Sequence, residues 1–252
     1  MLKPEERLDD LLINGLKIIQ SKSHFRFSVD AVLLAHFATV KSMDRILDLC
    51  TGSGIIPLLL STRDTSTQIT GLEIQRELVD MAQRSVRVNR LDQQIKVVQG
   101  DLKELMKGSR ECQGSQLGQF DLVTVNPPYM PAHTGRTNEL DSVTIARHEV
   151  LCTLQDVISA AARVLAHKGR FALVHRANRL GEIIGLCQRV GLEPRRLRLV
   201  QPRVGQKPNL VLVEAVKGVK PDLDVLENLI IYDGDTYSEE IQGMYRLSKA
   251  VE

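Results

Sequence analysis

Two kinds of apolar pattern alternate along the chain. Short runs of aliphatic and β-branched residues read as buried strands, and stretches with apolar positions every three or four residues read as helices. Strands are predicted at Ile46–Cys50, Gln68–Glu73, Ile95–Val98, Phe120–Val125 and Gly169–Val174. Between them lie predicted helices. Thr51-Gly52-Ser53-Gly54 forms a tight turn into a helix from Ile55 to Ser61. Gln75 to Asn89 places Leu78, Val79, Ala82, Val86 and Asn89 on one face. Val150–Leu165 and Leu180–Val190 follow, the latter stopped by Gly191. Ser28 stands where it can cap an apolar helix that begins at Val29. Arg195–Val200 and Leu210–Val216 read as a hairpin around a long loop containing Pro202, Gly205 and Pro208.

The remaining segments carry weaker signals. Residues 1–27 show no strong period, with candidate strands at Leu16–Ile19 and Phe25–Phe27. Lys107–Gly118 and Met130–Ser142 are polar and read as loops. After Pro221 the tail is acidic and irregular, with a candidate strand at Leu229–Tyr232 and a short helix after Ser238. Alternating strands and helices over residues 45–190 predict a doubly wound, mainly parallel α/β sheet with a C-terminal antiparallel hairpin. The expected division is an N-terminal extension at 1–27, one α/β domain at 28–217 and a tail at 218–252. Right-handed crossovers place ligands at the carboxyl ends of the strands. Asp48 to Gly54, Glu73, Asp101 and Asn126 fall at four successive strand ends.

Composition narrows the setting. The 252 residues are 43% hydrophobic and 25% charged, as in an ordinary globular protein. There is no apolar run long enough for a membrane span and no signal-peptide core after Met1. Cys50, Cys112, Cys152 and Cys187 form no C-x-x-C pair, so neither a zinc site nor a disulfide framework is expected. These features predict a cytoplasmic protein without a structural metal. The net charge is only +2, but residues 163–220 hold 13 Lys and Arg against three Glu and no Asp. That asymmetry predicts either a polyanion surface on the C-terminal half or a solvated basic face. Arg195, Arg196, Arg198, Arg203 and Lys207 are the candidates for tracking phosphates.

Four features carry candidate chemistry. Gly52 and Gly54 let a backbone approach a ligand closely. Pro57 stands where a dinucleotide fingerprint needs its last glycine, and Asp48 would repel a pyrophosphate but suits an ammonium. Glu73 can accept hydrogen bonds from both hydroxyls of a ribose, or stabilise the N-terminus of the following helix. Asp101 can accept an adenine amino proton, or cap the helix that begins at Leu102. The fourth feature is Asn126-Pro127-Pro128-Tyr129, where two prolines end a strand abruptly. It groups an amide oxygen, a carbonyl and an aromatic ring, a device suited to gripping a planar amine.

Together, Asp48 to Gly54, Glu73, Asp101 and Asn126-Pro127-Pro128-Tyr129 resemble the class I S-adenosylmethionine-dependent methyltransferases that act on exocyclic or amide nitrogens. The resemblance covers about residues 25–216. Three further segments, Phe25 to Ala35, Ala146-Arg147-His148-Glu149 and Lys207 to Glu214, are similar to the bacterial family that forms N6-methyladenosine at position 37 of a valine tRNA. The resemblance implies S-adenosylmethionine as cofactor. Asp48, Thr51, Gly52 and Gly54 would hold its methionine portion. Glu73 and Ile74 would hold the ribose, Asp101 and Leu102 the adenine, and Phe27 and Ser28 would close over the carboxylate. Asp30 could instead belong to the capping of its helix, and His148-Glu149 read as a helix start in preference to a contact with the active loop.

The Asn126 oxygen and the Pro127 carbonyl would each accept one amine N–H, leaving the nitrogen lone pair aimed at a methyl group. Tyr129 would stack on the base. The resemblance thus implies methylation of an adenine N6 in tRNA. Glutamine N5-methylation of a protein, guanine N2-methylation of RNA and an inactive RNA-binding module remain as alternatives.

Overall fold

The computed structural model describes residues 2–21, 29–107, 119–127, 129 and 152–246, and the account below concerns these. The apolar runs pair into an eight-stranded sheet. Its strands are β3 (Arg45–Leu49), β4 (Gln68–Glu73), β5 (Ile95–Gln99), β6 (Phe120–Val125), β7 (Leu165–Arg176), β8 (Leu192–Gln201), β9 (Leu210–Lys217) and β10 (Asp224–Ile230). Their spatial order is β10-β8-β9-β7-β6-β3-β4-β5. From β5 to β7 all pairings are parallel; β9 runs antiparallel to both β7 and β8, and β10 is parallel to β8. β3 to β8 and β10, all but β9, therefore end on one edge.

Helices cover both faces, which is why these strands read as continuous apolar runs. On one face lie α1 (Val29–Phe37), α2 (Ile55–Ser61) and α3 (Arg76–Val88). Leu33, Leu34, Leu58, Leu60 and Val86 pack there on Ile69, Leu122, Val174 and Leu212. On the other lie α4 (Leu102–Lys107), α5 (Leu154–Val164) and α6 (Leu180–Arg189). Val157, Ile158 and Leu186 pack there on Leu47, Val123, Phe171 and Leu173. Neighbouring residues such as Leu122 and Val123 serve opposite cores, as the period of two requires.

The antiparallel hairpin of β8 and β9 agrees with the sequence expectation. Helix α5 begins at Leu154, where the Thr153 hydroxyl accepts from the Asp156 N–H and the Asp156 carboxylate accepts from the Thr153 N–H. This reciprocal cap stops the helix from starting earlier.

One strand went unrecognised in the sequence and another was placed too late. β1 (Glu6–Asp10) pairs antiparallel with β2 (Lys17–Ser21), although its sequence is mostly charged. Arg84 anchors it by donating to both Glu6 oxygens, at 2.7 and 2.6 Å. β10 starts five residues before its predicted position. Most of its side chains are exposed, so an edge strand there needs no hydrophobic alternation. The chain continues into a small hairpin, β11 (Tyr232–Asp233) with β12 (Thr236–Tyr237), and then α7 (Glu239–Arg246), which seats Ile241 and Met244 in the first core. No helix among the described residues is long and apolar enough to cross a membrane.

Candidate functional site

The turn after β3 depends on backbone conformations that favour glycine. Gly52 has φ +58° and Gly54 φ +86°, and a Cβ on Gly54 would come within 3.1 Å of the Ala82 Cβ in α3. Cys50 takes a φ of +55° without being glycine. Thr51 turns towards β4. Its N–H donates to the Leu72 carbonyl at 3.1 Å, and its side chain fills the space that a Cβ on Gly71 would occupy.

Asp48 lies beneath this turn and is fully buried. Oδ1 accepts from the Thr124 hydroxyl at 2.7 Å, its partner across the β3–β6 ladder. Oδ2 is buried without a hydrogen-bond partner among the described residues. Burial pushes the carboxyl up to about 7 against the pull of the Thr51 and Thr124 hydroxyls, and the nearby Glu73 carboxylate adds to the rise. A buried carboxylate with an open oxygen can receive a cationic donor.

Glu73, at the end of β4, ties the turn to α3. Oε2 accepts from the Gly52 N–H at 2.9 Å, and Oε1 from the N–H groups of Ile74 and Gln75 at 3.0 and 2.9 Å. Burial raises its pKa, against the pull of these three donors. The helix-terminus reading of Glu73 therefore describes its contacts here. Asp101 also has a capping role: Oδ1 accepts from the Lys103 N–H at 2.9 Å. Asp101 nevertheless borders a small open cleft, together with Glu73, Ile74, Leu72, Leu102, Cys50 and Cys152. The two cysteines were not singled out in the sequence. A hydrogen bond with Cys152, and burial, push the Cys50 thiol well above its ordinary value, so it forms a neutral wall.

Beyond the cleft, Asn126 leaves the end of β6. The Tyr129 phenolic oxygen lies 2.5 Å from its Oδ1 and 2.8 Å from Asp30 Oδ2 in the first turn of α1. The single phenolic proton serves one acceptor at a time. Burial and the Asp30 carboxylate push the phenol's pKa well up, so it stays a donor. The Tyr129 ring meets His175 edge-on at 5.1 Å and carries the Arg176 guanidinium 5.1 Å above it.

His175 is fully buried. Its Nδ1 accepts from the Arg176 N–H at 2.8 Å, and Nε2 has no partner among the described residues. Burial lowers its pKa to about 4, helped by Arg179, so the ring is neutral at pH 7. His175 and Arg176 were missed because the predicted strand stopped at Val174. Extending it by two residues brings both to the edge that holds Asn126. Phe27, Ser28, Pro128 and His148-Glu149 lie outside the described residues.

The expected row of phosphate-binding arginines is altered. Arg195 pairs with Asp222 at 2.6 Å, and Arg198 grips both Glu240 oxygens at 2.5 and 2.8 Å. Arg196 donates to Thr39 Oγ1 at 2.8 Å and Glu214 at 3.3 Å, and lies over Phe37. The acidic tail folds beside the basic strand and neutralises it locally. A charge count along the sequence cannot register this. Arg203 donates to the Gly234 carbonyl and makes a looser pair with Asp235 at 3.7 Å, and Lys207 is exposed with no partner among the described residues.

A tRNA1(Val) (adenine(37)-N6)-methyltransferase of Tolumonas auensis is 28% identical over 225 residues, covering 88% of this chain and 89% of the relative. A protein of the same name from Haemophilus influenzae is 27% identical over 226 residues, covering 88% and 90%. Among solved structures, one described as a predicted O-methyltransferase from Agrobacterium tumefaciens superposes with a TM-score of 0.67 at 22% identity. It covers 87% of this chain and 96% of that one, and shows a shared fold. Residues 23–184 match the methyltransferase small domain family, a span that contains the glycine turn, Glu73, Asp101 and Asn126. The chain belongs to the methyltransferase small domain family.

Proposed function

We propose that the protein methylates the exocyclic N6 of an adenine in tRNA, with S-adenosylmethionine as donor. The observation that carries this reading is that Asn126 follows the end of β6 on the same sheet edge as Glu73 and Asp101, which border a cleft. The names of the relatives supply the substrate: adenine 37 of a valine tRNA.

The residues present fit the donor. Asp48 Oδ2, buried and without a hydrogen-bond partner among the described residues, suits its ammonium. Glu73 and the Ile74 backbone suit the ribose. The apolar walls of Leu72 and Leu102, with Asp101 at the border, suit the adenine. Thr51, Gly52 and Gly54 shape the turn around the methionine portion, and Phe27 and Ser28 are the proposed cover for its carboxylate. When bound, S-adenosylmethionine supplies a methyl group on a sulfonium, already activated for transfer.

The chain's own part is to orient the amine. The Asn126 amide oxygen and the Pro127 carbonyl accept its two N–H groups, so the nitrogen becomes pyramidal with its lone pair directed at the methyl. Positive charge then grows on nitrogen, and the two acceptor dipoles stabilise it. The product ammonium is acidic and releases a proton to water, so no strong base is required beforehand. The Tyr129 phenol now occupies the amide oxygen that the amine must use. On this mechanism it swings off Asn126 as the base arrives, freeing its ring to stack.

The test is transfer of labelled methyl from S-adenosylmethionine to tRNA lacking native methylation, followed by nucleoside analysis. Label in N6-methyladenosine is expected. Label in another nucleoside rejects the adenine assignment, and label in protein alone favours glutamine methylation. A second expectation concerns Glu73→Ala. Donor Kd should rise at least about tenfold, because the ribose loses a paired acceptor worth about 1.5–3 kcal/mol. Isothermal calorimetry reads it, with thermal melting as the control for the three lost N–H contacts. Unchanged affinity in a folded variant would leave Glu73 with its capping role alone.

A further inference from the structure

Along the same sheet edge, three tyrosine rings lie one upon another. Tyr232 and Tyr237 stack with centroids 5.3 Å apart and planes 18° apart, and Tyr237 and Tyr245 at 5.8 Å and 13°. Tyr237 and Tyr245 pack against the core, whereas Tyr232 is 37% exposed. The Arg203 guanidinium sits 5.8 Å from the Tyr232 ring centroid. The chain has only four tyrosines and no tryptophan, and the fourth tyrosine is Tyr129 beside Asn126.

Topology brings the ladder to the reaction's side of the molecule. β8 and β10 both run parallel to β7, so the residues after their ends, Arg203 and Tyr232, emerge at the edge where Asn126 leaves β6. The join is tight: the Ile231 and Tyr232 N–H groups donate to the carbonyls of Gln201 and Pro202, each at 2.9 Å. Four interstrand spacings, about 19 Å, separate β10 from β6.

We propose that this ladder is a second RNA contact, in which Tyr232 stacks on an unpaired base of the substrate while Arg203 and Lys207 meet the flanking phosphates. The inference rests on the RNA-substrate reading above. Attaching α7 to the sheet needs only the two packed rings. A third, exposed ring beside a guanidinium matches the combination used on single-stranded nucleic acid: a sequence-tolerant π face with cations alongside. Tyr237 holds Tyr232 in place, so little side-chain freedom is lost on binding. Arg203 donates to the Gly234 carbonyl and lies 3.7 Å from the fully exposed Asp235, so a phosphate reaching it competes with one backbone acceptor and one solvated carboxylate. Lys207 already lacks a partner among the described residues.

The experiment compares the wild-type chain with Tyr232→Leu and Tyr232→Phe. Binding of end-labelled, unmodified tRNA is followed by anisotropy, and methyl transfer by kcat and KM. Tyr232→Leu, which keeps apolar bulk without a π face, is expected to raise the RNA Kd and KM by about 5- to 100-fold. Its kcat and donor affinity stay unchanged, and Tyr232→Phe stays near the wild type. Lys207→Ala is expected to lower the slope of log affinity against log salt by about 1. If the wild type methylates tRNA and Tyr232→Leu binds it within about twofold of wild type, the ladder only fastens α7. If the wild type neither binds nor methylates tRNA, the RNA reading and this inference fall together.

Discussion

Asn126→Ala is expected to lower kcat for methyl transfer by about 10²–10³-fold, the usual loss when one preorganised group facing a developing charge is removed. Donor affinity should stay within about twofold of the wild type, since the lost interaction is made in the transition state and not to the donor. The substitution is structurally mild. Asn126 is only half-buried and follows the last residue of β6, and the Tyr129 phenol keeps its second acceptor, Asp30. A folded variant with normal donor binding and no turnover would isolate the amide's role. Single-turnover kinetics at saturating donor, beside calorimetric donor titration, separates the two. Turnover surviving at the wild-type rate would eliminate the amine-gripping mechanism.

Asp48→Asn is expected to move stability and donor binding in opposite directions. The buried Asp48 carboxyl is pushed up to about 7 from an ordinary 3.8. Its raised pKa means the fold favours the protonated form. The contribution to stability is intact at acid pH and is lost as pH rises from about 4 through about 7. Asparagine does not titrate, so the variant should be more stable than the wild type at pH 8, and the gap should close near pH 4. The difference between 3.8 and about 7 sets a ceiling of about 4 kcal/mol. For a chain of this size each kcal/mol is worth about 2–4 °C in Tm.

Donor binding should show the reverse. Wild-type affinity should increase with pH through about 7 as the carboxyl ionises to meet the ammonium, while the variant shows no such rise and binds at least about tenfold more weakly at pH 8, as expected when a charge-assisted contact is lost. Thermal melts at pH 4.5 and 8, with donor titrations at the same pH values, test both halves. If Asp48→Asn destabilises the protein at pH 8, burial is not the dominant influence on this carboxyl.

A phosphate-tracking row of arginines was expected at Arg195, Arg196 and Arg198, and the folded chain places carboxylates against all three. The acidic partners Asp222 and Glu240 come from the tail, and Glu214 from the neighbouring strand. An ion pair depends on a separation of a few ångströms, to which distance along the chain is no guide. The same holds for the contacts of Tyr129 with Asp30 and His175, and for a ladder built from Tyr232, Tyr237 and Tyr245.

The sequence alone determined the parallel strands β3 to β6, the turn of Gly52 and Gly54, and the alignment of Asp48, Glu73, Asp101 and Asn126 on one edge. Those features are local. A strand buried on both faces must be apolar residue after residue, a left-handed turn favours glycine, and paired prolines end a ladder. Only the tertiary structure decided that polar segments such as β1 and the start of β10 are strands, that Glu73 and Asp101 take their helix-terminus contacts while bordering a cleft, and which carboxylates pair with which cations. An edge strand is held by a neighbour's backbone, and a charge is neutralised by whichever opposite charge folding brings beside it; neither depends on adjacent residues.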